Sequence, residues 1–134
     1  MALDKENVLG FVRHVFGPEH PTWLGECELA LLQQPSTCFI AVSEEGVAGF
    51  CCFDCTARGM VGPLGVEQGH RGQGVASEMM RQTFEAMKAA GYAYAVIGWV
   101  NSPQFYAKAC GAIEIPDSLP GVYARMVSPP PAED

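Results

Sequence analysis

The stretch from Met60 to Val100 limits the fold more than any other part of the chain. An apolar segment, Met60–Val66, runs into a glycine-rich loop, Gly69-His70-Arg71-Gly72-Gln73-Gly74, which opens directly into an amphipathic segment from Val75 to Ala90. Val75, Met79, Thr83 and Met87 recur four residues apart with Ala76, Met80 and Phe84 beside them, the spacing of one helix face. Gly91 stops that helix, and Tyr92–Val100 follows as a second apolar segment, expected to be a strand buried on both faces. Two strands joined by one helix lie parallel, because the helix carries the chain back to the end of the sheet where it began.

The segments before this unit predict two helices and an antiparallel meander. Val8, Val12, Val15 and Phe16 mark a helix over Asp4–Phe16, ended by Gly17-Pro18. Thr22 is placed to cap a second helix, Trp23 to about Gln34, with Leu24, Cys27 and Leu31 on one face and Pro35 at its end. Cys38–Val42 and Val47–Cys55 read as strands around a Glu44-Glu45-Gly46 turn, and Met60–Val66 is the third strand, with an irregularity expected at Gly62-Pro63. Beyond Val100, Ser102-Pro103 opens a short helix ending near Cys110-Gly111. Ala112–Ile115 and Val122–Val127 are expected to close the sheet as a last strand pair. The reading is one α/β (α+β) domain over residues 1–127: a mixed, mostly antiparallel sheet with two splayed parallel strands, flanked by helices. Residues 128–134 form a proline-rich tail.

Composition excludes several functions. With a net charge of −7 the chain lacks the basic surface of a general nucleic-acid binder, and mildly favours cationic partners such as amines. No apolar run suits a bilayer span, and the N-terminus does not read as a signal peptide, so the expected compartment is the cytoplasm with no membrane partner. Of six cysteines, Cys27, Cys38 and Cys110 stand alone and Cys51, Cys52 and Cys55 crowd one apolar segment. Cys52 and Cys55 have C-x-x-C spacing, but no second pair or histidine set follows. Buried free thiols, and no metal site, are the expectation.

The chemistry sits in the loop. Helix N-termini carry unpaired amides and partial positive charge, and small residues let an anion come close, so Arg71-Gly72-Gln73-Gly74-Val75-Ala76 is suited to a phosphate. A Walker A loop needs Gly-Lys-Ser/Thr, which is absent. A dinucleotide fingerprint fails at Ser77, and no acid closes the next strand to hold a ribose. The remaining pattern, R-x-x-G-x-G/A, is complete with Arg71, Gly74 and Ala76. Here the chain resembles the GNAT superfamily, the Gcn5-related N-acetyltransferases. Asn101-Ser102-Pro103-Gln104-Phe105-Tyr106 with Gly111 resembles that family's later motif, N-x-x-x-x-F-Y-x-x-x-x-G. The resemblance covers roughly residues 38 to 127.

The resemblance implies acetyl-CoA or coenzyme A as co-substrate, with its pyrophosphate on Arg71, Gly72, Gln73, Gly74, Val75 and Ala76. It implies that the pantetheine arm pairs with Leu64 and Val66 as an added strand and touches Asn101. The Val66 N–H would face the thioester oxygen, and Tyr106 would protonate the leaving thiolate. The implied reaction is acetyl transfer to a primary amine on a small molecule or peptide; a homodimer is compatible with it. A coenzyme A-binding module without turnover is the alternative. Asp54, Glu67, His70 and a water relay remain open as the general base. Trp23, Trp99 and Tyr123 are candidates for an acceptor pocket, although core packing is the commoner role of such residues.

Overall fold

The computed structural model describes residues 4–98, 100–127 and 131. The chain divides into two units between Ser102 and Pro103. The first contains α1 (Lys5–Phe16), α2 (Trp23–Leu32), β1 (Cys38–Ser43), β2 (Gly46–Phe53), β3 (Met60–Val66), α3 (Val75–Ala89) and β4 (Val96–Ile97). Its sheet has the order β1-β2-β3-β4, antiparallel through β3 and parallel between β3 and β4. This is the mixed sheet with one parallel pair that the pattern predicts.

The sheet separates two apolar layers because side chains alternate along β2 and β3. Phe50 and Cys52 point to one face, where they join Val8, Leu9, Val12 and Phe16 of α1 and Cys27 and Ala30 of α2. Cys51, Phe53, Val61 and Val66 point to the other, against Met79 and Met87 of α3. Thr83 is fully buried in α3; its hydroxyl donates to the Met79 carbonyl at 2.8 Å and its oxygen lies 3.4 Å from the Cys51 sulfur. Trp23 packs on Phe16 and Phe50 and stacks on His20, so it is a core residue.

The expected irregularity falls at Gly62-Pro63. Phe53 pairs with Val61 and Cys51 with Leu64, so two residues of β3 oppose one of β2, a bulge. Gly62 lies at φ +129°, which favours glycine, and Pro63 has no N–H to lose from the ladder.

Several expectations need correction. Among the described residues of 92–100 only Val96 and Ile97 are paired in the sheet, and Tyr94 is largely exposed; Trp99 lies outside the described residues. The segment meets a partner only beside Met60 and Val61, and apolar composition cannot replace a ladder. Helix α2 stops at Leu32, short of Gln34. Thr22 sits at its N-cap position with helical backbone angles and makes no side-chain cap, because capping requires an extended residue there.

The second unit contains α4 (Pro103–Cys110) and a 3₁₀ turn, Gly121–Arg125. Helix α4 begins at Pro103 as expected. Residues 112–115 are irregular, with Ile113 89% exposed, and residues 121–125 are 3₁₀, so the expected closing strand pair does not form. The proline-rich tail lies outside the described residues except for position 131. Among the described residues no helix is long and apolar enough to cross a membrane.

Two contacts hold the β3 region in place. A Cβ at Gly65 would come within 2.6 Å of the Phe16 ring, so the absence of a side chain lets α1 lie directly on the strand. That ring cannot swing away, because Phe11, Trp23 and Phe50 surround it at centroid distances of 5.6, 5.2 and 5.6 Å. At the other end of β3, Asp54 accepts hydrogen bonds from the Gly59 N–H at 2.7 Å and from the Tyr92 hydroxyl at 2.7 and 2.8 Å. This carboxylate ties the β2–β3 turn to the residue that follows α3. It also raises the Tyr92 pKa, the hydrogen bond to Asp54 being the main cause and desolvation the second.

Gly65→Ala should therefore destabilise the fold by about 1–3 kcal/mol through overpacking against Phe16, read as a lower denaturant midpoint. The folded state holds the Tyr92 proton more tightly than the unfolded chain. Its contribution is complete below about pH 10 and is lost as pH rises through the raised folded value. Thermal melts between neutral and alkaline pH should show Tyr92→Phe less stable at neutral pH and less sensitive above about pH 10. A variant with the parent's alkaline profile would leave that loss to another group.

Candidate functional site

The site begins with an unpaired strand edge. Pairing between β3 and β4 is Met60 with Val96 and Val61 with Ile97, whereas β3 continues to Val66. Beyond Val61 the β4 side of β3 has no strand partner among the described residues. The phase of that edge follows from one bond. The Glu67 N–H donates to the Ala48 carbonyl at 2.8 Å, so Glu67 faces β2, and by alternation Gly65 does too. Leu64 and Val66 then turn their N–H and C=O groups away from β2, toward the open side. Arg71 confirms the direction at Val66: its Nε donates to the Val66 carbonyl at 3.0 Å.

The loop continues from this edge. A 3₁₀ turn, Gln68–His70, leads to Arg71 in extended conformation, then Gly72 at φ +77° and Gly74 at φ +79°. Both glycines adopt a left-handed backbone that side-chain-bearing residues take only with strain. Neither is crowded, so backbone conformation rather than space demands glycine here. Residues 71–74 are exposed and Val75 and Ala76 half-buried. Gly74 is the N-cap of α3, with no side chain bonded to the first amides. The first helical bond recorded there runs from the Glu78 N–H to the Gly74 carbonyl at 3.1 Å, so the amides before it are free for an anion. Glu78 lies in that first turn, but Arg81 grips its carboxylate at 2.7 and 2.9 Å and Gln82 adds a bond at 3.1 Å. The Arg81 bonds hold Glu78 well below the usual carboxylate range, at about 2, and the paired guanidinium offsets its repulsion of an anion.

Of the expected site residues, Leu64, Val66 and Arg71 to Ala76 form one continuous surface along the edge of β3 and the start of α3. Asn101 is exposed near the end of the first unit. Tyr106 belongs to α4 in the second unit, half-buried, with its ring edge-on to Phe105 at 5.1 Å. Gly111 ends α4 at φ +71°, its N–H bonded to the Ala107 carbonyl.

The candidate bases separate by position. Asp54 is held by Gly59 and Tyr92 beside the start of β3, a strand of seven residues that spans about 20 Å, and so lies far from Val66. Glu67 directly follows Val66, and its carboxylate lies 3.5 Å from Nδ1 of His70. That nitrogen is buried and this loose contact is its nearest recorded partner. The pairing was open to sequence reading only as a three-residue spacing. The bond from Arg71 to Val66 carries no sequence signal, because it depends on the loop doubling back on the strand.

The cysteines depart from expectation. Cys27, Cys51 and Cys52 are buried free thiols, but Cys110 is exposed. The residues that stand alone in sequence are also not alone in space: the sulfurs of Cys27, Cys38 and Cys52 lie within 4.8 Å of one another.

Comparison with known proteins agrees with this fold. The model of the acetyltransferase (GNAT) family matches residues 2–112. Among solved structures, the chain is similar to the GNAT family N-acetyltransferase YhbS from Escherichia coli, determined in complex with CoA. The identity is 23%, the TM-score 0.59, and the match covers 81% of this chain and 63% of that one. It is also similar to a GNAT family acetyltransferase from Brucella melitensis in complex with acetyl-CoA, at 15% identity and TM-score 0.61, covering 81% and 76% of the two chains. These likenesses concern the fold, and the chain spans less than two thirds of the E. coli protein. A search of curated proteins finds no match. The strand edge, the arginine–glycine loop, the uncapped helix and the family match over residues 2–112 together show that the chain belongs to the acetyltransferase (GNAT) family.

Proposed function

We propose that the protein transfers an acetyl group from acetyl-CoA to a primary amine. The observation that carries this reading is the open edge of β3 at Leu64 and Val66, which runs through Arg71–Gly74 into the free amides of α3. A ligand with an amide-bearing arm and a pyrophosphate at one end matches that surface in order. The arm would add to the sheet as a strand, and the pyrophosphate would accept from the amides at Gly74–Ala76. The neighbouring folds determined with CoA and acetyl-CoA support the choice.

The chain's residues then have separable tasks. The Val66 N–H donates to the thioester oxygen as negative charge grows there. The amine nitrogen bonds to the carbonyl carbon, the carbon–sulfur bond breaks, and Tyr106 gives its proton to the leaving thiolate. Asn101 steadies the arm. His70 with Glu67, beside the strand end, takes the proton from the amine. The acidic balance of the chain favours approach of a cationic acceptor, and the cytoplasm is the setting where acetyl-CoA is supplied.

Calorimetry should show coenzyme A binding to the parent and much weaker binding to Gly74→Asp, which adds bulk and like charge to the loop. In a thioester-turnover assay over an amine panel, Tyr106→Phe should lower turnover roughly tenfold to a thousandfold with little change in coenzyme A affinity. His70→Gln should lower turnover with little change in coenzyme A affinity, as loss of the proton acceptor would. Absence of coenzyme A binding would refute the site. Binding without turnover on any amine would make the chain a coenzyme A-binding module.

A further inference from the structure

The three sulfurs of Cys27, Cys38 and Cys52 come from three different elements and meet on the α1–α2 face of the sheet, away from the loop described above. Cys27 lies in α2, Cys38 is the first residue of β1, and Cys52 in β2 stands directly opposite Cys38 in the ladder. All three lie within 4.8 Å of one another. A soft trivalent ion that carries a lone pair binds its three sulfurs as a pyramid; with bonds of about 2.3 Å the sulfurs stand about 3.5 Å apart, so the observed group must contract by roughly 1 Å to become a ligand set. Two of the sulfurs are sealed: Cys27 and Cys52 are 0% exposed. Cys38 is part-exposed at the free edge of the sheet and gives a way in.

We propose that these three thiols form a binding site for one soft, thiolate-seeking trivalent ion, with trivalent arsenic as its chemical type.

The reason for three thiolates is donor softness. Sulfur ligands select soft ions, and no histidine or carboxylate shares this cluster among the described residues. The reason for a trivalent ion is charge. The surroundings are Val8, Leu9, Val12, Phe16, Ala30 and Phe50, which offer nothing to stabilise a buried charge. Three thiolates around a divalent ion leave one negative charge and a fourth coordination position unfilled. Three thiolates around a trivalent ion leave none. Binding is balanced without an oxidant: arsenous acid loses three hydroxyls, three arsenic–sulfur bonds replace three arsenic–oxygen bonds, the thiol protons leave with the hydroxyls as three waters, and arsenic stays trivalent. Cys55 also packs against this core and its side chain reaches Cys52, but its thiol donates to the Gly62 carbonyl at 3.1 Å and it is not within reach of all three sulfurs.

The test is titration of the fully reduced protein with arsenite, followed by native mass spectrometry and by the near-ultraviolet absorption of arsenic–sulfur bonds. The expected result is a complex of one arsenic per chain, less three protons, with a raised melting temperature. Cys38→Ser, at the part-exposed position, should keep the fold and coenzyme A binding while losing at least about tenfold in arsenite affinity, the loss of one ligand. Cys27→Ala and Cys52→Ala should act alike where their melts show a folded protein. Cys55→Ser and Cys110→Ser should bind as the parent does. Failure to form the one-to-one complex, unchanged affinity in Cys38→Ser, or loss of binding in Cys110→Ser would each overturn the site. Tighter binding of zinc than of arsenite would overturn the assignment to a trivalent ion.

Discussion

The molecule depends on how β3 shares its two edges. One edge is paired with β2 along the strand, apart from the bulge at Gly62-Pro63. The other is paired with β4, among the described residues, at only Met60 and Val61. An unpaired backbone edge is normally a liability that invites another chain. Here it ends in a loop and a helix N-terminus that both favour an anion, so the exposed groups have a definite direction and a definite terminus. The carbonyl of Val66 is already engaged by Arg71, which couples the loop to the strand and holds the loop in register with the edge.

That edge is only as well placed as the strand beneath it, and β3 is held at both ends by different means. Near Val66 the support is dispersion and close packing, with the Phe16 ring on bare Gly65 inside an aromatic cluster. Near Met60 it is polar, with the Asp54 carboxylate bridging Gly59 and Tyr92. The first is insensitive to pH and the second is not. A carboxylate that looks available for proton transfer in the sequence is thus committed to structure, while Glu67 and His70, beside Val66 at the other end of the strand, are not so tied.

The cysteines illustrate the same division between pattern and place. Cys51 and Cys52 are neighbours in sequence and belong to opposite layers of the sheet, because strand side chains alternate. Cys27, Cys38 and Cys52 are far apart in sequence and adjacent in space. C-x-x-C spacing drew attention to Cys52 and Cys55, whereas the compact group uses Cys52 with two residues that no local pattern connects.

What the sequence by itself determined is whatever depends on local rules. Helix α3 and its apolar face follow from four-residue spacing, the positive φ of Gly72 and Gly74 from the needs of a turn into a helix, and the anion-binding character of that turn from backbone charge. The parallel β3–β4 pair follows too, because one intervening helix permits little else. Tertiary structure alone decided what depends on partners. Tyr92–Val100 and Ala112–Ile115 are both mostly apolar, yet among the described residues one contributes only Val96 and Ile97 to the sheet and the other no strand at all. A strand exists only where a second backbone completes its hydrogen bonds, and that backbone can come from dozens of residues away. The same holds for the edge left open at Leu64 and Val66, for the tie from Arg71 to Val66, and for the three sulfurs brought together across α2, β1 and β2.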